Sequence, residues 1–265
     1  MDSVRNGIWN VIIRFLLAVI STLGVFIVFG LILDQLEILI YSRMASKVGR
    51  DIILVTGVVG TPLHEASHWL GCKIFGFKVL EVSLFRPLTY KFDGILGYVL
   101  FLYSNKGWWS KLGCFVVGMA PMIFGSLFMI LIVWLVVPEV FKTTKHSIEA
   151  SSKSKIPILP VWWAAFSGFW KGMFSLRKWG ILRGIITLYL IISIAMHMTV
   201  STQDIKAATP GFGIVALIYL LYSLITAIIG TEYKLAAMKR GAFIASFLSI
   251  GLLADGLHLL ISLFF

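Results

Sequence analysis

Gly60-Thr61-Pro62-Leu63-His64-Glu65-Ala66-Ser67-His68-Trp69-Leu70 places a His-Glu-x-x-His pattern inside an otherwise apolar run. Residues four apart on a helix are separated by about 40° around the axis and ~6 Å along it. His64 and His68 therefore share a face, and both imidazoles can reach one metal ion. Glu65, beside the first of them, is placed to take a proton from a metal-bound water. Zinc lowers the pKa of such a water to about 7, low enough for a carboxylate to complete the deprotonation at neutral pH. The stretch thus predicts a helix bearing a hydrolytic metal site, with His64 and His68 as ligands and Glu65 as catalytic base. The competing reading is a pair of structural histidines that flank a glutamate. The surroundings weaken it, because ionisable groups inside a membrane span are costly and tend to be functional.

Composition supplies those surroundings. Of 265 residues, 59% are hydrophobic and 13% charged, and the mean hydropathy is +0.95. These values predict a polytopic membrane protein, and the length suits a single membrane-embedded domain over 1–265. The net charge of +11 comes from Lys and Arg placed mainly between apolar spans. There they anchor and orient the chain at an anionic lipid bilayer, and no basic run interleaved with aromatics points to nucleic acid. Cys72 and Cys114, the only two cysteines, are too few for a disulfide framework. The first apolar region outruns the core of a signal peptide and no small-residue cleavage site follows, so the expected location is the cell membrane, multi-pass.

The expected fold is all-α, with about six transmembrane helices over 8–33, 52–72, 112–137, 181–200, 212–230 and 242–265. Arg14 interrupts the first and is expected to snorkel toward the nearer interface. Pro62 removes a backbone hydrogen bond to Val58, which predicts a kinked or restarted helix just before His64. Residues 77–104 break the helical pattern. Val79–Phe85 and Ile95–Phe101 are short and β-prone, separated by turn signals at Arg86-Pro87 and Phe92-Asp93-Gly94, and predict a small β-hairpin after the metal-motif helix. Gly118-Met119-Ala120-Pro121 predicts close packing and a bend early in the third span. Residues 138–180 read as a basic loop, with a Trp- and Phe-rich surface segment at 161–174. The fourth span can stay helical through Ala208, before Pro210-Gly211.

A catalytic zinc commonly has three protein ligands. Asp204, Asp255, His197, His258 and Cys72 are the candidates for the third. Cys72 lies one turn beyond His68 on the same helix, awkward for closing a tetrahedron, and reads as a packing residue. His197, Ser201 and Asp204 fall on one face of the fourth span, and Asp255 and His258 on one face of the sixth. Depth in the membrane allows either aspartate.

With the His64-Glu65-x-x-His68 helix, the 77–104 hairpin, Gly118-Met119-Ala120-Pro121 and a later helix ending in an aspartate, the chain resembles the site-2 protease group of intramembrane zinc metalloproteases. The resemblance covers a core of roughly 52–208 and leaves the additional helices at 8–33 and 212–265 unexplained. It implies one Zn2+ held by His64, His68 and an aspartate of the third core helix, which by order along the core is Asp204. The group's Leu-Asp-Gly motif is instead approached by Ala254-Asp255-Gly256. The activity implied is an intramembrane zinc endopeptidase acting on membrane-protein or peptide substrates, with Glu65 as general base. Since no PDZ-like or nucleotide-binding domain is evident, length selection falls to the membrane domain or to a regulatory membrane partner. The alternatives are a non-catalytic membrane protein, such as a chaperone or transporter component with a structural or vestigial metal site, and a zinc hydrolase of lipid-linked substrates.

Overall fold

Helical periodicity begins near the N-terminus and yields α1 (Asp2–Val19), a π-helical turn (Ile20–Gly24) and α2 (Val25–Ser42). The computed structural model describes residues 2–42, 47–104, 106–151 and 158–229. Within 241–260 it further describes residues 241, 244, 245, 248–250, 252, 253, 255, 256 and 258–260. α3 (Lys47–Phe75) carries the metal motif and runs without interruption through Pro62, where a restart was expected. β1 (Lys78–Ser83), the single turn α4 (Tyr90–Asp93) and β2 (Tyr98–Leu102) follow, then α5 (Trp108–Gly118) and α6 (Ala120–Val136). Next come α7 (Pro138–Ser151), α8 (Ile158–Phe174), α9 (Lys178–Met196), α10 (Thr202–Ala208), a 3-10 turn (Thr209–Gly211) and α11 (Phe212–Ile229).

The described residues are mostly helical with one two-stranded antiparallel sheet, but the expectation of six spans is corrected. Among the described residues one helix, Thr202–Ile229, is long and apolar enough to cross a membrane, with 28 residues and a mean hydropathy of 2.4. Trp108–Gly118 with Ala120–Val136, bent by 60°, makes a second if the pair is one span. The remaining candidates fall short for different reasons. The π-helical turn divides the first, polar residues around the motif dilute α3, and the fourth stops at Met196. Half of the sixth lies outside the described residues. Arg14 does not rely on snorkelling, since its guanidinium donates to the Thr226 carbonyl of α11 at 3.0 Å.

The predicted loop over 138–180 is also corrected. Proline fits the first position of a helix, where the missing N–H has no partner to lose, and Pro138 opens α7. α8 packs against it backbone to backbone, because a Cβ at Gly168 or Gly172 would meet the Cα of Thr144 at 3.2 Å or of Val140 at 2.9 Å. Behind this pair, Met122, Met129, Val133, Phe169, Ile191, Ile194 and Leu248 form the main core, joining α6, α8, α9 and the C-terminal helical residues.

α3 lies at the centre of the functional half, packed on α5, α6 and α9. The hairpin follows it directly. Its strands are displaced from the sequence expectation by one to three residues, leaving 84–97 as a long connection. β1 and β2 pair Val82 with Val99 and Glu81 with Leu100, then skip Leu80 in a bulge before Val79 meets Phe101. The connection is braced by an Arg86–Asp93 ion pair at 2.9 Å and by Tyr90, buried with Ile53 and Leu96. The amide of Ile95 donates to Asp93, which with Arg86 holds that carboxyl below the usual carboxylate range.

Candidate metal centre

One turn of α3 brings the Nε2 atoms of His64 and His68 to 3.1 Å from each other. The opposite ring nitrogens are committed. Nδ1–H of His64 donates to the carbonyl of His197 at 2.7 Å, and Nδ1–H of His68 donates to the carbonyl of Val117 at 2.8 Å. A carbonyl oxygen can only accept, so these partners fix both tautomers and leave two Nε2 lone pairs facing one another. Such an arrangement repels itself unless a cation lies between the nitrogens, which is the geometry a metal ligand pair requires.

Both carbonyls lack the usual helical donor four residues on, because the helices that carry them are broken. Proline has no N–H, so Pro121 cannot donate to the residue four before it, which is Val117. α9 ends at Met196, and the amide of Ser201, which would have closed the next turn onto His197, donates instead to Asp204 Oδ2 at 2.9 Å. The fourth span therefore does not continue as one helix through Ala208. Residues 197–201 separate α9 from α10, and His197, Ser201 and Asp204 do not share one helix face.

That interruption presents Asp204. Ser201 caps α10: its hydroxyl donates to Oδ2 at 2.6 Å and accepts the Asp204 amide at 3.2 Å, a reciprocal capping box. With Oδ2 held by Ser201, Oδ1 faces His68 Nε2 at 3.5 Å. The ligand atoms of His64, His68 and Asp204 lie within 4.8 Å of one another. Zinc–nitrogen and zinc–oxygen bonds of about 2.0–2.1 Å give a tetrahedron with edges of ~3.3–3.4 Å. The 3.1 Å and 3.5 Å edges lie on either side of that value. Two imidazoles and a carboxylate, with the second atoms of all three tied down, form a group that can hold one metal ion.

Close approaches set the frame. A Cβ at Gly118 would run into the Asp204 carbonyl, so α5 and α10 meet through bare backbone there. At Gly60 a Cβ would run into the Ser193 carbonyl, so α9 lies directly on α3.

Glu65 is 7% exposed and opens with His64 onto a cavity of about 220 Å³. Thr61, His197 and Thr199 line it together with residues 94–97 before β2. The segment presses on the carboxylate's stem, since a Cβ at Gly97 would lie 2.7 Å from Glu65 Cγ.

The other sequence candidates stand outside the ligand group, His258 close enough to His197 to interact with it electrostatically. Asp255 and His258 are buried, 3% and 2% exposed, in the C-terminal helical residues and outside the His64–His68–Asp204 group. Cys72 is a buried free thiol, also outside it. His197 turns its imidazole to Thr56 and Thr61 and gives His64 its carbonyl. Thr56, Thr61, Gly97 and the Val117 carbonyl went unread in the sequence. Of these, only the carbonyl left a signal, in Pro121 four residues on. No protein-family model matches the chain, and neither a curated protein nor a solved structure matches it.

Proposed function

We propose that this chain is an intramembrane zinc endopeptidase, a multi-pass protein of the cell membrane that hydrolyses peptide bonds of membrane-protein segments. The observation that carries the reading is the convergence of two imidazoles and a carboxylate, each fixed through its second atom, beside a buried glutamate facing a cavity. The donor set suits zinc, borderline in softness and tolerant of a compact four-coordinate site. When bound, zinc polarises a scissile carbonyl and lowers the pKa of a bound water to about 7.

The chain's own residues supply the remainder. Glu65 takes the proton of the attacking water and hands it to the leaving amine nitrogen, so the peptide C–N bond breaks without a free amide anion. His64 and His68 keep their Nε2 lone pairs turned inward throughout, because their Nδ1 protons are committed to carbonyls. Asp204 keeps Oδ1 turned to the site through Ser201. Residues 94–97 line the cavity and limit water around Glu65. A helical substrate hides its carbonyls in internal hydrogen bonds, so a scissile segment has to enter unwound.

The test uses Glu65→Gln in the detergent-purified full chain, with zinc content measured beside cleavage of membrane-segment peptides read by mass spectrometry. Zinc retained with cleavage abolished supports the reading. Equal cleavage by wild type and Glu65→Gln, or a wild type without bound zinc, removes it, the latter in favour of the non-catalytic alternative.

A further inference from the structure

Thr56, Gly60 and His64 are spaced four apart on α3 and share the face turned to the end of α9. The Thr56 hydroxyl donates to its own helix, to the Ile52 carbonyl at 2.8 Å, and so meets His197 as an acceptor. His197 Nε2–H donates to it at 3.0 Å. With the ring proton on Nε2, Nδ1 is the acceptor, and the Thr61 hydroxyl donates to it from 3.4 Å. The ring lies against bare backbone, since a Cβ at Gly60 would come within 2.7 Å of both Cβ and Cδ2 of His197. From the same residue, the carbonyl accepts His64 Nδ1–H at 2.7 Å. These bonds close a circuit: α3 through Thr56 to the imidazole of His197, along its backbone to the carbonyl, and through His64 back to α3.

We propose that His197 is a positioning residue for the ligand His64, clamped by Thr56 and Thr61 so that its carbonyl stands where His64 Nδ1–H requires it. Both of its ring nitrogens are occupied, so it is not itself a ligand. The residues just past α9 have left helical geometry, and an unclamped carbonyl there would be free to rotate away. The imidazole ties the backbone to the helix that carries the metal motif. The inference rests on the reading that His64, His68 and Asp204 hold zinc.

The experiment measures zinc affinity of the detergent-purified full chain by competition with a chromophoric chelator, with the visible spectrum of the cobalt(II) form and the unfolding temperature recorded alongside. Thr56→Val keeps the shape and removes the acceptor. A lost outer partner of a metal ligand weakens binding about 10–100-fold; Thr56→Val and His197→Ala keep the His197 carbonyl but free it to turn, so a loss of up to about tenfold is expected of each. Thr56→Ser, which keeps the hydroxyl, should stay within about twofold of wild type. Because the two residues act as one unit, the double variant should bind no more weakly than His197→Ala alone. Should His197→Ala fail to fold, the Thr56 pair carries the test. Unchanged zinc affinity and cobalt spectrum in Thr56→Val, with only the unfolding temperature lowered, overturn the proposal, as does equal loss in Thr56→Ser and Thr56→Val. A wild type that binds no zinc overturns the peptidase reading and this inference together, whereas a zinc-binding wild type with unaffected variants overturns this inference alone.

Discussion

Replacing Ser201 by alanine separates two jobs that one hydroxyl performs. Its oxygen accepts the Asp204 amide at 3.2 Å and so caps α10, and its proton goes to Asp204 Oδ2 at 2.6 Å. Losing a serine cap costs about 1 kcal/mol of helix stability, whatever the site holds. Losing a hydrogen bond to a carboxylate costs about 1.5–3 kcal/mol when both groups are dry. Here Ser201 is exposed and the Asp204 side chain is 21% exposed, so water compensates in part. A value of about 1 kcal/mol is reasonable for that second bond, with the backbone amide of Ser201 still holding Oδ2. If this energy goes into the orientation of Oδ1, zinc dissociates with a constant raised about fivefold, 1.4 kcal/mol being tenfold. The assay is chelator competition on Ser201→Ala and Ser201→Thr in detergent, with unfolding temperatures recorded beside the affinities. Threonine keeps the hydroxyl and should keep both properties. A Ser201→Ala chain that melts lower yet binds zinc as wild type does would refute the orienting role and leave a helix cap alone.

Two further outcomes follow from the same geometry. Asp204→Ala should lose tightly bound zinc while Asp255→Ala keeps it, read by metal analysis of the purified chains; zinc loss confined to Asp255→Ala would move the site to the C-terminal helical residues. Gly97→Ala puts a Cβ 2.7 Å from Glu65 Cγ and 3.0 Å from the carbonyls of Ser83 and Leu84, so either the base or the covering segment must shift. Misplacement of a catalytic group by about 1 Å can cost on the order of 100-fold in rate. Peptide cleavage should therefore fall steeply at unchanged zinc content, and full activity would show that 94–97 does not bear on the base.

The helix that carries the site was legible from its own letters. The period of 3.6 fixes how His64 and His68 stand relative to each other, and no tertiary contact is needed to know it. The hairpin was legible too, because turn residues and β-branched pairs act locally, although the Leu80 bulge and the turn at Tyr90–Asp93 moved its strand ends. What the letters concealed is where backbone leaves regular structure. The helical pattern of the fourth span can be read on past His197 to Ala208, and the stop is set by Ser201 and Asp204 capping one another, which periodicity does not register. Between the two aspartates the letters pulled both ways, order along the core favouring Asp204 and neighbouring residues Asp255; the choice depends on which chain segment α5 and α3 leave room for, and Gly118 and Gly60 make that room for α10 and α9. Among the described residues fewer spans stand than the six expected, because composition does not see a π-helical turn or a 60° bend.

The carbonyl that holds His68 belongs to Val117, yet nothing in valine's side chain makes the contact. The information for it is written at Pro121, a residue that never touches the imidazole in that bond. Position 117 is therefore interchangeable among residues that fill the same space against Gly71, while the instruction sits four letters downstream in a residue that acts by lacking a proton. Scanning for contacting side chains would pass over this part of the site, whereas a search for missing amide donors would find it.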